Sequence, residues 1–200
     1  MRTLVVYSHP REDSLAGSLR QTVVDELTAR KVDHRVHDLY GDGFNPVLSE
    51  WERRQHMAAP EIRTSVDPLL KRYTDDLLWC DSIIFVYPTW WSGQPTMLKG
   101  WLDRVLINGV AWTFPAGATR LHANLRNVRR MAIVTSYGSP KLANMVQGES
   151  GKKVIFRGMR VLCNVLCRTH WVALYNVDNA AERKIETFRR RVRRTVARFA

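Results

Sequence analysis

Two adjacent tryptophans, Trp90 and Trp91, follow the most apolar predicted strand of the chain, within the run Tyr-Pro-Thr-Trp-Trp-Ser-Gly. Each indole has a large flat apolar face, and a loop cannot easily bury two of them because its own backbone polar groups need partners. A planar ligand packed on the rings, with loop N–H groups bonded to its edge, would resolve this conflict. A subunit interface or a lid over the core would resolve it as well, and both apply if the site lies at a subunit boundary.

Two further loops carry polar groups suited to binding. Residues 8–16 lead from a predicted strand into a predicted helix, whose first N–H groups and positive dipole end can hold a phosphate. His9, Arg11 and Ser14 could add donors, although Ser14 equally suits an ordinary helix cap. Residues 135–139 contain small hydroxyl residues and a glycine, so their backbone could approach a flat ring closely or form a plain surface turn.

The sequence lacks the motifs of several other kinds of ligand site. The first loop has no glycine before Gly17, which excludes the dinucleotide turn, and residues 148–153 have the wrong glycine spacing for a P-loop. Cys163 and Cys167 lie four apart on a predicted helical stretch, and two such ligands are too few for zinc, so no metal site is predicted. With Cys80 they make only three cysteines, and this odd, sparse content indicates a reducing compartment.

The charge of the chain is strongly positive. Lys and Arg number 31 against 19 acidic residues, giving +12, and residues 181–200 alone contribute +6 of this. Such a basic face can bind nucleic acid, anionic lipid or a phosphorylated cofactor, or it can be a solvated helix face. No aromatic side chain alternates with the terminal arginines except the core-facing Phe188 and Phe199, so binding to nucleic acid or membrane is disfavoured without being excluded.

Apolar patterning places these loops on a particular architecture. Short apolar runs predict strands at residues 3–7, 34–39, 82–87, 131–135 and 171–175. Helical patterns between and after them cover residues 14–30, a stretch from Pro68, a stretch from Pro95, residues 154–166 and the C-terminal segment. Asp67 is the predicted N-cap of the helix from Pro68, and Phe188 and Val192 are predicted core positions of the last helix. Five buried strands separated by helices predict an α/β fold, a doubly wound parallel sheet with helices on both faces. Ligands of such sheets bind beyond the carboxyl ends of the strands, where all three loops begin.

Length and hydropathy indicate how the chain is organised. At 200 residues with 45% apolar content and no linker, it is predicted to be a single domain, residues 1–200. No apolar run is long enough for a bilayer span. The first residues turn polar too soon for a signal peptide, so a cytoplasmic location is expected.

The run Tyr-Pro-Thr-Trp-Trp-Ser-Gly-Gln-Pro-Thr-Met-Leu-Lys-Gly-Trp-Leu-Asp-Arg-Val, residues 87–105, resembles the flavin-binding signature of the flavodoxin-like NAD(P)H:quinone oxidoreductases. This group includes DT-diaphorase, modulator of drug activity and the potassium-efflux ancillary reductases. The pattern P-x-x-W-x-x-x-P-x-x-L-K-G-W-x-[DE]-R-V is long and specific. The residues around His9 and Ser14, the segment 44–48 and the aromatic segment 110–114 are also similar to the family, so the likeness covers about residues 1–138.

The resemblance implies a flavodoxin-like sheet with strand order 2-1-3-4-5 and a bound flavin, FAD or FMN. It also implies NADH or NADPH as hydride donor, two-electron ping-pong reduction of a quinone-like small acceptor, and a homodimer. The cofactor-binding residues it implies are His9, Ser14, Leu15, Ala16, Pro88, Thr89, Trp90, Trp91, Thr135, Ser136, Tyr137 and Gly138. The acceptor-pocket residues it implies are Trp91, Trp112, Phe114 and Tyr137.

The chain departs from the family pattern at one important position. Tyr137 stands where the family carries a glycine, which narrows the space over the ring. The tyrosine and histidine invoked as proton partners in the family have no clear match after Gly138, so Tyr137 is the candidate for pocket-shaping or proton partner. N–H groups of residues 89–91 are expected to stabilise negative charge on the reduced flavin. A flavodoxin-type electron carrier stays open as an alternative, although such carriers are typically acidic.

Overall fold

A central sheet of five parallel strands organises the computed structural model, which describes residues 1–199. Ala200, the last residue of the predicted domain and of the predicted C-terminal segment, lies outside this range. The strands are β1 (Arg2–Tyr7), β2 (Asp33–Asp38), β3 (Ser82–Pro88), β6 (Arg130–Ser136) and β7 (Arg168–Leu174), in the order β2-β1-β3-β6-β7. Counted along the chain within this sheet, that order is 2-1-3-4-5, so the predicted fold class and strand order are confirmed.

Helices cover both faces of the sheet. They are α1 (Leu15–Ala29), α2 (Glu50–Arg54), α3 (Pro60–Thr64), α4 (Pro68–Trp79), α5 (Thr96–Val105), α6 (Lys141–Val146), α7 (Ser150–Lys153) and α8 (Glu182–Val196). The predicted N-cap of α4 is confirmed, since the Asp67 carboxylate accepts from the N–H groups of Leu69 and Leu70, both at 3.0 Å. No helix within residues 1–199 combines the length and apolar character needed to cross a bilayer.

The core lies in two layers, one on each face of the sheet. Successive residues of β3 alternate between them: Phe85 packs with α4 and α5, whereas Ile84 packs with α1 and α8. Every residue from Ser82 to Tyr87 is buried, which explains why this strand reads as an unbroken apolar run. The predicted core positions Phe188 and Val192 of α8 are buried in the second layer.

The predicted helix at residues 154–166 is partly wrong. Helical structure begins earlier, at α7, and continues through a π-helical turn (Val154–Met159) and a 3₁₀ turn (Arg160–Leu162). It ends because the Leu162 carbonyl accepts from the Leu125 N–H at 3.0 Å, and Cys163 adopts an extended conformation. Cys163 and Cys167 are therefore not on one helix.

The sequence patterns did not predict the short helices and strands. These are α2, α3, α6 and the antiparallel pair β4 (Trp112–Thr113) and β5 (His122–Ala123). Each is too short to show a full apolar period, so tertiary contacts rather than patterning specify them.

A buried ionic cluster holds the segment before α4 against α5. The Glu52 carboxylate accepts from Arg104 Nε at 2.8 Å and from Arg63 Nη2 at 3.4 Å, and Arg104 also bonds Asp67 at 2.7 Å. Burial raises the pKa of Glu52, but bonds from Ser49 and Arg104 outweigh it, so the pKa lies below its usual value. A lowered carboxylate pKa stabilises the fold at neutral pH, and this contribution is lost as the pH falls through the folded-state pKa.

We predict that Glu52→Gln destabilises the protein by about 3 kcal/mol at pH 7, because buried Arg63 loses its carboxylate partner and buried Arg104 keeps only that of Asp67. Urea unfolding at pH 7 and pH 4 measures this, and the difference from wild type is expected to shrink at the lower pH. Glu50→Gln is the matched control, since Glu50 forms only an exposed pair with Arg54 on the same helix. Equal losses for the two variants would contradict the buried-cluster account.

Candidate functional site

Main-chain hydrogen bonds join the three predicted loops at the carboxyl edge of the sheet. The N–H of Ser8, just after β1, donates to the Val86 carbonyl of β3 at 3.1 Å. The N–H of Thr89, just after β3, donates to the Ser136 carbonyl of β6 at 2.8 Å. The sheet ladder thus extends into the loops and fixes their starting points at the place where the strand order changes direction.

The first loop leads into the start of α1, where two main-chain donors are free. The Ser14 side chain caps α1 by accepting from the Gly17 N–H at 3.0 Å. Within the described chain, the N–H groups of Leu15 and Ala16 have no acceptor, and the first turn of this 15-residue helix carries no acidic residue. Two free donors at the positive end of a helix dipole are suited to a phosphate.

His9 connects this loop to the tryptophans. Its ring centroid lies 5.7 Å from that of Trp90, and its Nδ1 accepts from the Arg11 N–H at 3.0 Å. The same Nδ1 also lies 3.0 Å from the Arg11 carbonyl oxygen, so the main chain of Arg11 engages this nitrogen in either tautomer. Nε2 is the ring nitrogen left without a partner among the described residues. Arg11, the other donor expected here, instead pairs with Asp13 through both Nε and Nη2 at an exposed position.

The tryptophans lie on a tight turn. Trp90 and Gly93 exchange two main-chain hydrogen bonds, at 3.1 and 3.0 Å. Trp91 and Ser92 between them both have positive φ, 47° and 60°, the conformation of a type I′ turn that glycine or asparagine usually occupies. This backbone is strained for a bulky side chain, and it leaves the Trp91 indole fully exposed while 39% of Trp90 is exposed.

Residues 147–151 clamp this turn and were not predicted as part of the site. Ser92 Oγ donates to Gln147 Oε1 at 2.8 Å, and Ser150 Oγ donates to the Ser92 carbonyl. Gln94 Nε2 also donates to the Gly151 carbonyl at 3.2 Å. The contacts join residues more than 50 positions apart, and only the unusual Gly-Glu-Ser-Gly composition marked the segment in the sequence.

The third loop is closely packed. Thr135 and Ser136 are the last residues of β6, and the Thr135 hydroxyl lies 3.1 Å from that of Thr89. Tyr137 is only 2% exposed and stacks on Tyr175, with centroids 5.0 Å apart. Gly138 faces Asp178, whose carboxylate oxygen would lie 2.7 Å from an added Cβ.

Glu149 is the acidic residue that accepts a hydrogen bond from this pair of stacked tyrosines. Tyr175 donates to Glu149 Oε1 at 2.6 Å, and burial together with this bond raises the pKa of Tyr175 to about 12. Burial also raises the pKa of Tyr137, although a hydrogen bond with Thr89 opposes it. Tyr137 is therefore a neutral hydroxyl at physiological pH, held beside the second loop.

The structure corrects the expected set of main-chain donors. The N–H of Thr89 bonds the Ser136 carbonyl and the N–H of Trp90 bonds the Gly93 carbonyl. Of the three N–H groups expected to face a ligand, only that of Trp91 has no acceptor within residues 1–199. Pro88, which was predicted with these residues to bind the cofactor, is the last residue of β3 and is half-buried.

The aromatic segment after α5 is held by contacts of its own. Trp112 is buried, donates to the Leu106 carbonyl at 2.8 Å and faces the His56 ring. Phe114 is 41% exposed. Among the described residues, no hydrogen bond or ring contact joins either side chain to Trp91 or Tyr137.

Sequence comparison places the chain among flavodoxin-like proteins. A family model described as a flavodoxin-like fold (Flavodoxin_2) matches residues 1–196. The uncharacterized NAD(P)H oxidoreductase YcaK of Escherichia coli (strain K12) is 33% identical over 116 residues, covering 56% of this chain and 55% of that protein. Human ribosyldihydronicotinamide dehydrogenase [quinone] is 32% identical over 126 residues, covering 57% and 54%. The matched regions thus span about half the length of these relatives.

Solved structures share the fold over nearly the whole chain. Smu.1420 from Streptococcus mutans UA159 has a TM-score of 0.82 at 26% identity, with 98% of each chain covered. An FMN-dependent NADH-azoreductase from Bacillus anthracis str. Ames Ancestor, determined in complex with FMN, has a TM-score of 0.78 at 14% identity, with both chains covered completely.

We predict that Gly17→Ala destabilises the protein by about 1–2 kcal/mol, because the new Cβ would lie 2.0 Å from the Glu12 carbonyl oxygen. This reverses the usual stabilising effect of alanine within a helix. Gly158→Ala is the control, since its Cβ would meet no atom within 4 Å, and it is expected to be neutral or stabilising. Chemical unfolding of both variants measures the difference, and a stabilised Gly17→Ala would disprove the close approach.

Proposed function

The chain belongs to the Flavodoxin_2 family of flavodoxin-like fold, and from this premise we propose that it is a flavin-dependent NAD(P)H oxidoreductase. In this proposal residues 1–200 form one flavin-binding domain that reduces a quinone-like small acceptor by two electrons. The observation that carries the proposal is the juxtaposition of the exposed tryptophan turn with the unpaired N–H groups of α1, linked by the contact between His9 and Trp90.

The residues present suit a flavin at both of its ends. The N–H groups of Leu15 and Ala16, with Ser14 and the Nε2 of His9, would hold its phosphate. Trp90, Trp91 and the loop ends at Thr89 and Thr135 would line its ring system. The flavin itself would supply the redox chemistry, accepting two electrons from a nicotinamide and passing them to the acceptor.

The protein's own contribution would be to bind the flavin and to orient it. Hydrogen bonds with Gln147 and Ser150 hold the strained turn in place. The Trp91 indole therefore stays exposed, and its main-chain N–H stays available, without further rearrangement. Tyr137, which stacks on Tyr175, limits the space over the third loop. Its neutral hydroxyl is the group that we propose as pocket wall or proton partner.

We propose FMN as the flavin and leave FAD as an outcome of the test. The FMN complex of the azoreductase with the same fold supports this choice. The helix start offers one cluster of free donors, whereas Arg11 is engaged by Asp13 and adds none. NADH and NADPH are both candidate donors, since nothing at the described loops selects the adenosine phosphate.

We further propose that the acceptor pocket is completed in a homodimer. Trp91 is fully exposed in the single chain, and among the described residues no ring contact or hydrogen bond joins it to Trp112 or Phe114. A second copy that presents its segment 112–114 to this turn would bring the predicted pocket residues together and cover the exposed indole.

The decisive experiment is to identify the bound cofactor and the turnover of the purified protein. We expect a yellow protein that releases FMN on heating, as identified by mass, and that oxidises NADH or NADPH only when a quinone is added. A colourless protein that takes up neither FMN nor FAD would overturn the proposal. Flavin content without nicotinamide oxidation would favour the electron-carrier alternative.

We predict that Trp91→Ala weakens flavin binding about tenfold, because the ring loses an aromatic contact, while the stability of the single chain is unchanged since its indole is fully exposed there. Titration of the apoprotein with FMN, followed by flavin fluorescence, measures the affinity. Trp51→Ala is the matched control, since Trp51 is 41% exposed on α2 and outside the three loops. Unchanged affinity in Trp91→Ala would remove the tryptophan turn from the binding site.

A further inference from the structure

A second concave site lies at the opposite edge of the sheet. A cavity of about 820 Å³ is formed at the amino ends of β1, β3, β6 and β7, which are adjacent in the sheet. Arg2 begins β1, Asp81 precedes β3, Arg129 and Arg130 stand at the start of β6, and Arg168 begins β7. The length of the strands, about 20 Å, separates this cavity from the three loops at the carboxyl edge.

The cavity contains positive charge that the described residues do not compensate. Four arginines line it, but Asp81 is its one acidic residue. The Asp81 carboxylate accepts from the main-chain N–H of Arg2 at 3.1 Å and from Ser82 Oγ at 3.2 Å, not from a guanidinium. Within residues 1–199, none of the four guanidiniums pairs with a carboxylate.

The fold forces two of these charges together. Arg130 and Arg168 are direct neighbours in the register of β6 and β7, so their side chains leave the same face of the sheet, and like charges at such positions destabilise a sheet. Arg130 is held further by donating to the Arg198 carbonyl. Burial lowers the pKa of the nearby His170, and Arg198, Arg130 and Arg168 lower it further, which reports the same positive field.

The neutral polar groups of the cavity are already engaged. Asn127 Nδ2 donates to the carbonyl of Cys80 at 2.5 Å and to that of Leu77 at 3.1 Å. Asn164 Nδ2 donates to the Arg126 carbonyl, and its Oδ1 accepts from the Leu166 N–H. Guanidiniums are therefore the side-chain donors left for a ligand, and their forked N–H groups match the oxygen atoms of a phosphate.

We propose that this cavity binds a small oligophosphate, a chain of at least two linked phosphate groups, through Arg2, Arg129, Arg130 and Arg168. Several anionic groups in one molecule would bridge guanidiniums that repel one another. The volume falls in the range of small-molecule sites. None of its lining residues is aromatic, so the stacking platform of a single-stranded nucleic-acid site is missing.

The test is calorimetric titration of the full-length protein, with its cofactor as purified, using sodium tripolyphosphate at constant ionic strength. We expect one site per chain, with orthophosphate binding more weakly because it reaches fewer guanidiniums. The double variant Arg129→Gln/Arg168→Gln is expected to weaken tripolyphosphate binding about tenfold or more. Both side chains are exposed, so the fold and the flavin content should be retained.

A matched pair of substitutions controls for net charge. Arg190 and Arg194 on α8 are equally exposed and line a different basic cavity of about 620 Å³. Arg190→Gln/Arg194→Gln removes the same charge and is expected to leave tripolyphosphate binding unchanged. Equal weakening by both double variants would show that only overall charge attracts the anion and would overturn the proposal.

Two further results would also overturn it. A single-stranded oligonucleotide that displaces tripolyphosphate at lower concentration would identify a nucleic-acid surface instead. Failure of tripolyphosphate to raise the wild-type thermal midpoint above that in sodium chloride of equal ionic strength would show that nothing is bound. The thermal measurement needs no variant, so it decides the matter even if a substitution disturbs folding.

Discussion

The site at the carboxyl edge depends on a sheet ladder that continues past the ends of the strands. The main-chain N–H groups of Ser8, Thr89 and Tyr137 each donate to a carbonyl of the adjacent strand, at 3.1, 2.8 and 2.8 Å. Loops normally leave such groups to water. Here the bonds satisfy buried backbone and fix where each loop leaves the sheet. The same bonds remove Thr89 as a main-chain donor, so in the proposed complex ligand contacts would come from side chains and from the next turn.

That next turn shows how strain is tolerated when other contacts determine the conformation. Two residues with side chains, Trp91 and Ser92, occupy left-handed backbone positions, at a cost on the order of 1 kcal/mol or more each. The contacts from Gln147 and Ser150 compensate for this cost and hold the turn from outside. The Trp91 indole is thereby held in an exposed position.

The sequence identified the parts of the molecule that are locally encoded. The five strands, the Asp67 cap and the loop carrying Trp91 all follow from short patterns, and strand order follows from the resemblance of residues 87–105. The clamp at residues 147–151 could not be found this way, because its contacts join residues more than 50 positions apart and its Gly-Glu-Ser-Gly run does not indicate which segment it would contact. The sequence also could not predict which main-chain N–H groups of residues 89–91 lack an acceptor, since this depends on the exact register of Thr89 against β6.

Part of the sequence signature at residues 87–105 is structural rather than chemical. A Cβ at Gly100 would lie 2.3 Å from the Pro46 carbonyl oxygen, so only glycine lets the segment after β2 pack against α5 at this distance. Arg104, one turn later, donates to the Asn45 carbonyl at 2.6 Å and joins the buried cluster with Glu52. Gly100 and Arg104 therefore explain why the segment 44–48 and the α5 motif occur together. Gly100 and Arg104 thus serve packing. The part of the signature that remains for the proposed flavin binding is its first half, the turn that carries Trp91.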